Sequence, residues 1–122
     1  MRILVCEDQD AIRHMIQTLV QASGHEVVGV ALGAQAVERA LAERFDILLL
    51  DLMLPGGLDG FAVIERLRAA EVTQALPILV ISAMDDPESQ ARARGLGATD
   101  FYGKPFRPLE LLANLGKYAR PA

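Results

Sequence analysis

The stretch Phe45-Asp-Ile-Leu-Leu-Leu-Asp-Leu-Met-Leu-Pro-Gly-Gly-Leu-Asp-Gly60 decides how this chain folds. Its first part is an apolar run that reads as a strand over residues 45–50, covered on both faces. The run ends in a carboxylate, Asp51, and a turn built on Pro55, Gly56 and Gly57 follows. A carboxylate at the C-terminal end of a buried strand is held rigidly and faces solvent. Asp51 is therefore the first candidate for chemistry.

Outward from this strand, apolar runs alternate with helical patterns. Toward the N-terminus, residues 3–6 form a short buried-strand run ended by Glu7-Asp8. Residues 10–22 carry Ile12, Met15, Ile16 and Leu19 at helical spacing and stop at Ser23-Gly24. A second strand is expected over 26–31, and a helix over 34–43 with Val37, Ala40 and Leu41 on one face. Beyond the turn, Asp59 can cap a helix running to about residue 70, with Phe61, Ile64 and Leu67 inward. Residues 78–81 read as a strand. Asp86-Pro87 opens a helix that ends near Gly95 or Gly97. Residues 99–102 form a last short strand. Pro108 opens a final helix with Leu109, Leu111, Leu112 and Leu115.

The order is βα repeated five times. The expected fold class is α/β, a flavodoxin-like doubly wound parallel sheet with strand order 2-1-3-4-5. The chain has 122 residues, enough for one domain, and residues 1–122 are expected to form it. Hydrophobic residues make up 52% and charged residues 23%, which excludes a disordered segment. Cys6 is the only cysteine, so an internal disulfide and a multi-thiolate metal centre are excluded. Met1 leads straight into an apolar strand, and the longest apolar runs are far too short to span a bilayer. A cytoplasmic, reducing setting is the expectation.

The net charge is −4, and three of the acids responsible belong to the candidate site. Nothing in this balance points to nucleic acid as the main partner. The late basic residues Arg92, Arg94, Arg107, Lys117 and Arg120 read as part of a mixed, solvated surface.

In a doubly wound sheet, ligands bind beyond the carboxyl ends of the strands, at the topological switch point. With this strand order the switch point lies between the first and third strands. Glu7-Asp8 ends the first and Asp51 the third, while Ser82 ends the fourth and Lys104 follows the fifth. Each residue alone has a structural reading: Asp8 as a helix cap, Asp51 as a turn former, Ser82 as a loop cap, Lys104 as a surface lysine. Their joint placement on one sheet edge favours a site. Carboxylates for a cation, a hydroxyl donor and an ammonium suit a phosphorylated carboxylate.

On the motifs Ile-Leu-Val-Cys-Glu-Asp8, Leu-Leu-Leu-Asp-Leu-Met-Leu-Pro55, Pro-Ile-Leu-Val-Ile-Ser-Ala83 and Gly-Ala-Thr-Asp-Phe-Tyr-Gly-Lys-Pro-Phe106, the chain resembles the receiver domain of two-component response regulators. Four such motifs in order and at the right spacing are specific, and the resemblance runs from Arg2 to about Ala119. It implies a domain that takes a phosphoryl group from a sensor histidine kinase or a histidine phosphotransfer protein and is not otherwise an enzyme. By position, Asp51 is the implied phosphoacceptor. Glu7, Asp8, Asp51 and the backbone carbonyl of Met53 are the implied Mg²⁺ ligands. Ser82 bonds the phosphoryl group, Lys104 matches the family's lysine and its peptide bond to Pro105 is typically cis, and Ser82 with Phe101 forms the switch. Gly95 and Asn114 stand where charged residues are usual in receivers that dimerise, so a monomer is expected before phosphorylation.

The same residues allow a second reading. Asp8-Gln-Asp10 after an apolar strand matches the Asp-x-Asp signature of haloacid-dehalogenase-type phosphohydrolases, with Asp8 as nucleophile. That reading lacks a further acidic pair after Lys104 and leaves Asp51-Leu-Met-Leu-Pro55 unexplained. The downstream target, and whether the chain is a single-domain regulator or part of a longer one, are open at this point.

Overall fold

The computed structural model describes residues 1–118, so Ala119 and Arg120, named above, lie outside the described residues. The elements in order are β1 (Arg2–Cys6), α1 (Asp10–Ala22), β2 (Glu26–Val30), α2 (Gly33–Ala42), β3 (Ile47–Leu50) and α3 (Gly60–Ala69). A 3₁₀ turn over Glu71–Thr73 precedes β4 (Ile78–Ser82), α4 (Pro87–Leu96), β5 (Asp100–Gly103) and α5 (Pro108–Leu115). All strand pairs are parallel, in the order β2-β1-β3-β4-β5, as expected from the sequence.

Alternation along the central strands builds two cores. Leu4, Cys6, Leu48, Leu50, Ile78 and Val80 face one side, where α2, α3 and α4 cover them with Ala36, Ala40, Phe61, Ile64, Leu67 and Ala93. Ile3, Val5, Ile47, Leu49, Leu79 and Ile81 face the other, against Ile16 and Val20 of α1 and Leu111 and Leu115 of α5. Each Leu, Ile, Val or Phe among them contributes roughly 1.5–3 kcal/mol when fully buried. An exposed ion pair such as Arg13–Asp10 contributes at most about 1 kcal/mol. Apolar burial therefore holds the helices on the sheet.

Some boundaries and faces differ from the sequence expectation. β3 starts at Ile47, because Phe45 and Asp46 serve as the approach to the strand. Asp46 Oδ2 accepts from the Arg2 amide at 2.8 Å, and the Arg2 guanidinium lies 4.4 Å from the Phe45 ring centre. Met15 and Leu41, at helical spacing with buried neighbours, and Leu109 in the last helix are exposed, by 48%, 45% and 81%. The stripe that α1 buries is narrow: the i, i+4 pair Ile16 and Val20 fills it. Helix α4 is the most polar and buries Ala93 alone. Asp86 caps its start, accepting from the Ser89 amide at 3.1 Å, and Gly97 closes its end at φ 120°. The partly buried Arg68 guanidinium donates to the Gly97 carbonyl at 2.9 Å and to the Thr73 carbonyl at 3.1 Å, and so ties the end of α4 to α3. No helix among the described residues is long and apolar enough to cross a membrane.

Candidate functional site: an acidic cluster at the carboxyl rim of the sheet

The parallel ladder does not stop where the strands do. The Glu7 amide donates to the Val30 carbonyl at 3.1 Å, the Asp51 amide to Cys6 at 3.0 Å, and the Lys104 amide to Ser82 at 3.0 Å. Glu7, Asp51 and Lys104 are therefore each pinned to a neighbouring strand by backbone, and their side chains start from fixed points on the rim.

From those points the side chains converge. Glu7, Asp8 and Asp51 each present one carboxylate oxygen, and the three lie within 4.8 Å of one another. Glu7 is 2% exposed and Asp51 6%, so Asp51 is buried among its partners and does not face solvent as its place at the strand end suggests. Lys104 Nζ lies 3.2 Å from Asp51 Oδ2 and also donates to Glu7 Oε1. Further backbone donors reach the acids: Gln9 to Glu7 Oε2 at 3.2 Å and Met53 to Asp51 Oδ1 at 3.3 Å. Burial pushes the Glu7 carboxyl above the usual carboxylate range, and the bond from Lys104 only partly opposes this. Burial also disfavours the Lys104 ammonium, but Glu7 and Asp51 together outweigh it and hold the lysine above its usual value. The Cys6 thiol, buried and close to the acids, is pushed up to about 12 and is inert at neutral pH.

Three carboxylates around one ammonium leave the rim net negative. All their donor atoms are hard oxygens, so the cluster suits a divalent cation of the Mg²⁺ or Ca²⁺ type and not a thiophilic metal. Glu7, Asp8 and Asp51 are the side chains that would hold it.

Ser82 is fully buried, and its hydroxyl accepts from the Met84 amide at 3.1 Å. Phe101 is half-buried and packs against the α2–α4 core together with Met84, Leu96 and Ala98. Met53 is 55% exposed on the loop after Asp51. The Lys104–Pro105 peptide bond is cis. Asp8 does not cap α1, whose N-cap is Gln9 with no side-chain bond. Asp10, the second acid of the Asp-x-Asp reading, is turned to solvent and paired with Arg13 at 2.6 Å. That reading lacks its second carboxylate at the rim.

Two features of the site were not drawn from the sequence. The Asp51 loop is seated on glycines: a Cβ on Gly60 would stand 2.3 Å from the Asp51 carbonyl oxygen, and one on Gly33 would stand 2.4 Å from that of Leu58. The Arg13 guanidinium reaches back to the Glu7 carbonyl at 2.9 Å. Glycines flanking a capped helix were the visible signal for the first. The second had none, because an arginine on a helix surface looks like any other.

Residues 3–116 match the family described as the response regulator receiver domain. The chain belongs to that family. This receiver is 33% identical over 120 residues to the transcriptional regulatory protein GltR of Pseudomonas aeruginosa, a match that covers 98% of the chain and 49% of GltR. The chain spans about half the length of the curated relatives it matches. Among solved structures, the chemotaxis protein CheY4 of Vibrio cholerae is similar at TM-score 0.89 and 30% identity, covering 97% of this chain and 98% of that one. The receiver domain of the sensor histidine kinase PA1611 of Pseudomonas aeruginosa, which has a magnesium ion coordinated in its active-site cleft, is similar at TM-score 0.88 and 32% identity. Coverage there is 96% of this chain and 95% of that one. A receiver is a signalling domain of two-component systems, not a conventional enzyme.

Proposed function

We propose that this receiver accepts one phosphoryl group on Asp51 from a sensor histidine kinase or a histidine phosphotransfer protein. The observation that carries the reading is the buried Asp51 carboxylate, paired with Lys104 and clustered with Glu7 and Asp8. The bond from phosphorus to the donor's histidine nitrogen breaks as an oxygen of Asp51 bonds to phosphorus. Positioning and charge neutralisation do most of the work in such a transfer. Glu7, Asp8, Asp51 and the Met53 carbonyl are the proposed ligands of Mg²⁺, which when bound neutralises charge on the phosphoryl oxygens. Lys104 pairs with one of those oxygens, and the Ser82 hydroxyl leaves the Met84 amide to donate to another. Phe101 follows Ser82 inward, and the surface of α4, β5 and α5 changes with it. Hydrolysis of the acyl phosphate at the same residues resets the domain.

In this reading residues 1–122 act as one receiver unit, monomeric before phosphorylation and cytoplasmic, signalling to a downstream protein through the α4–β5–α5 face. Incubation with acetyl phosphate and Mg²⁺ tests it. One phosphoryl mass should appear on the wild type and none on Asp51→Asn. Stoichiometric label on that variant rejects the assignment, and label that disappears instead in Asp8→Asn alone restores the phosphohydrolase reading. Light scattering that shows a stable dimer without a phosphodonor rejects the monomer.

A further inference from the structure

We propose that Arg13 is a positioning residue for the acidic pair, its guanidinium holding the Glu7 carbonyl so that the Glu7 and Asp8 carboxylates stay aimed at one point. The proposal rests on the cation-site reading above. Only residues 7–9 separate β1 from α1, so this short link sets where the two carboxylates point. The Glu7 amide is fixed by Val30, but its carbonyl has left the ladder. It accepts instead from Arg13 Nη1 at 2.9 Å. The backbone amide of the same arginine donates to the Gln9 carbonyl, also at 2.9 Å. That bond is the first backbone turn of α1 and belongs to any residue at position 13, so the Arg13 side chain's own hold is on the Glu7 carbonyl. Its second guanidinium nitrogen binds Asp10 at 2.6 Å, so the fork is held at two points. The Arg13 side chain is 20% exposed, and Asp10 is 88% exposed.

Charge and geometry make opposite demands here, which lets an experiment separate them. Arg13 is a cation beside an acidic cluster. By Coulomb's law alone, its removal strengthens the binding of a divalent cation. If Arg13 positions the carboxylates, its removal weakens that binding, as loss of supporting residues around metal ligands commonly does by about tenfold or more.

The test is calorimetric titration of Mg²⁺ into the full chain at fixed ionic strength, with thermal unfolding measured without Mg²⁺. Arg13→Met is expected to bind Mg²⁺ about tenfold more weakly than wild type. Arg13→Lys, which keeps the charge but not the two-point fork, should fall between the two. Asp10→Asn should stay within about twofold of wild type, because the Glu7 bond remains. Affinity in Arg13→Met equal to or tighter than wild type overturns the proposal, whatever happens to its melting temperature. A lower melting temperature with unchanged affinity indicates a merely structural residue. Should Arg13→Met not fold, wild-type affinity in Arg13→Lys overturns it equally. A wild type that binds no Mg²⁺, or Glu7→Gln that binds as tightly as wild type, would instead reject the cation-site reading itself.

Discussion

Lys104 Nζ lies 3.2 Å from Asp51 Oδ2 while donating to Glu7, so a single ammonium holds two buried carboxylates together across the sheet. Lys104 comes from the β5 side and Glu7 from the end of β1, 97 residues apart in sequence. Removal of the lysine leaves two like charges buried side by side. Lys104→Met is expected to lower stability by about 3 kcal/mol in the absence of divalent cation. Added Mg²⁺ should recover more stability in this variant than in wild type, since a cation then replaces the ammonium. Urea titrations with and without Mg²⁺ check both statements, and equal Mg²⁺ increments in the two proteins would refute the second.

The glycines give a contrast within one chain. Gly60→Ala places a methyl group 2.3 Å from the Asp51 carbonyl oxygen and 2.5 Å from Leu52 Cα, both backbone atoms. The loop must move, at a cost of about 1–3 kcal/mol, and phosphorylation by acetyl phosphate should slow with it. Gly95→Ala meets nothing within 4 Å inside α4 and should raise stability by about 0.5 kcal/mol. Melting temperatures that move in opposite directions support both assignments.

Much of this site was legible because the fold class fixes where strands end. Once βα repeats were read from the apolar runs, the rim positions of Glu7, Asp51, Ser82 and Lys104 followed from counting along the chain. The cap Asp59 was equally plain, and it accepts from the Ala62 amide at 2.9 Å. Contacts that depend on where a long side chain bends were not legible. Arg13 folding back on Glu7, and Arg68 reaching from α3 to Gly97, have no periodic signature. Met15, Leu41 and Leu109 fit their helical patterns by type, but each helix buries a narrower stripe, Ile16 and Val20 on α1, Ala36 and Ala40 on α2, and Leu111 and Leu115 on α5. The exact start of β3 was hidden because Phe45 is buried like a strand residue while stacked on by Arg2.

Acid sensitivity should arise far from the acidic rim. Glu43 is held at about 2, well below the usual carboxylate range, by bonds from Arg39 and Arg2. Its folded value lies below its unfolded one. The stabilisation is therefore fully present above the ordinary carboxylate pKa and is lost as the pH falls from there toward about 2. Glu43→Gln should flatten this part of the stability–pH curve and leave the neutral limb parallel to wild type. Denaturant midpoints between pH 2 and pH 5 measure it, and an unchanged acid slope would exclude Glu43 as the cause.

The proposed switch makes its own demand on Ser82 and Phe101. In the present state the Ser82 hydroxyl accepts from the Met84 amide at 3.1 Å, and Phe101 is half-buried in the same core as Met84. Beryllofluoride with Mg²⁺ should shift amide resonances from Ser82 through Phe101 to about Leu112. In Ser82→Ala the shifts should contract to the residues around Asp51. Shifts confined to that region in the wild type as well would show that the two residues are not coupled.

Among the described residues, cations work at both ends of the sheet. Lys104 works at the carboxyl rim, while Arg2 with Glu43 and Arg68 with Gly97 work at the amino rim. Strands of four to five residues hold these groups about 15 Å apart. At that separation, without shared partners, free-energy changes add. The domain is in that sense modular within a single core. Stability can therefore be raised or lowered at Arg2 and Glu43 without altering the acidic rim, whereas Arg68 holds the end of α4 and belongs with the proposed switch surface.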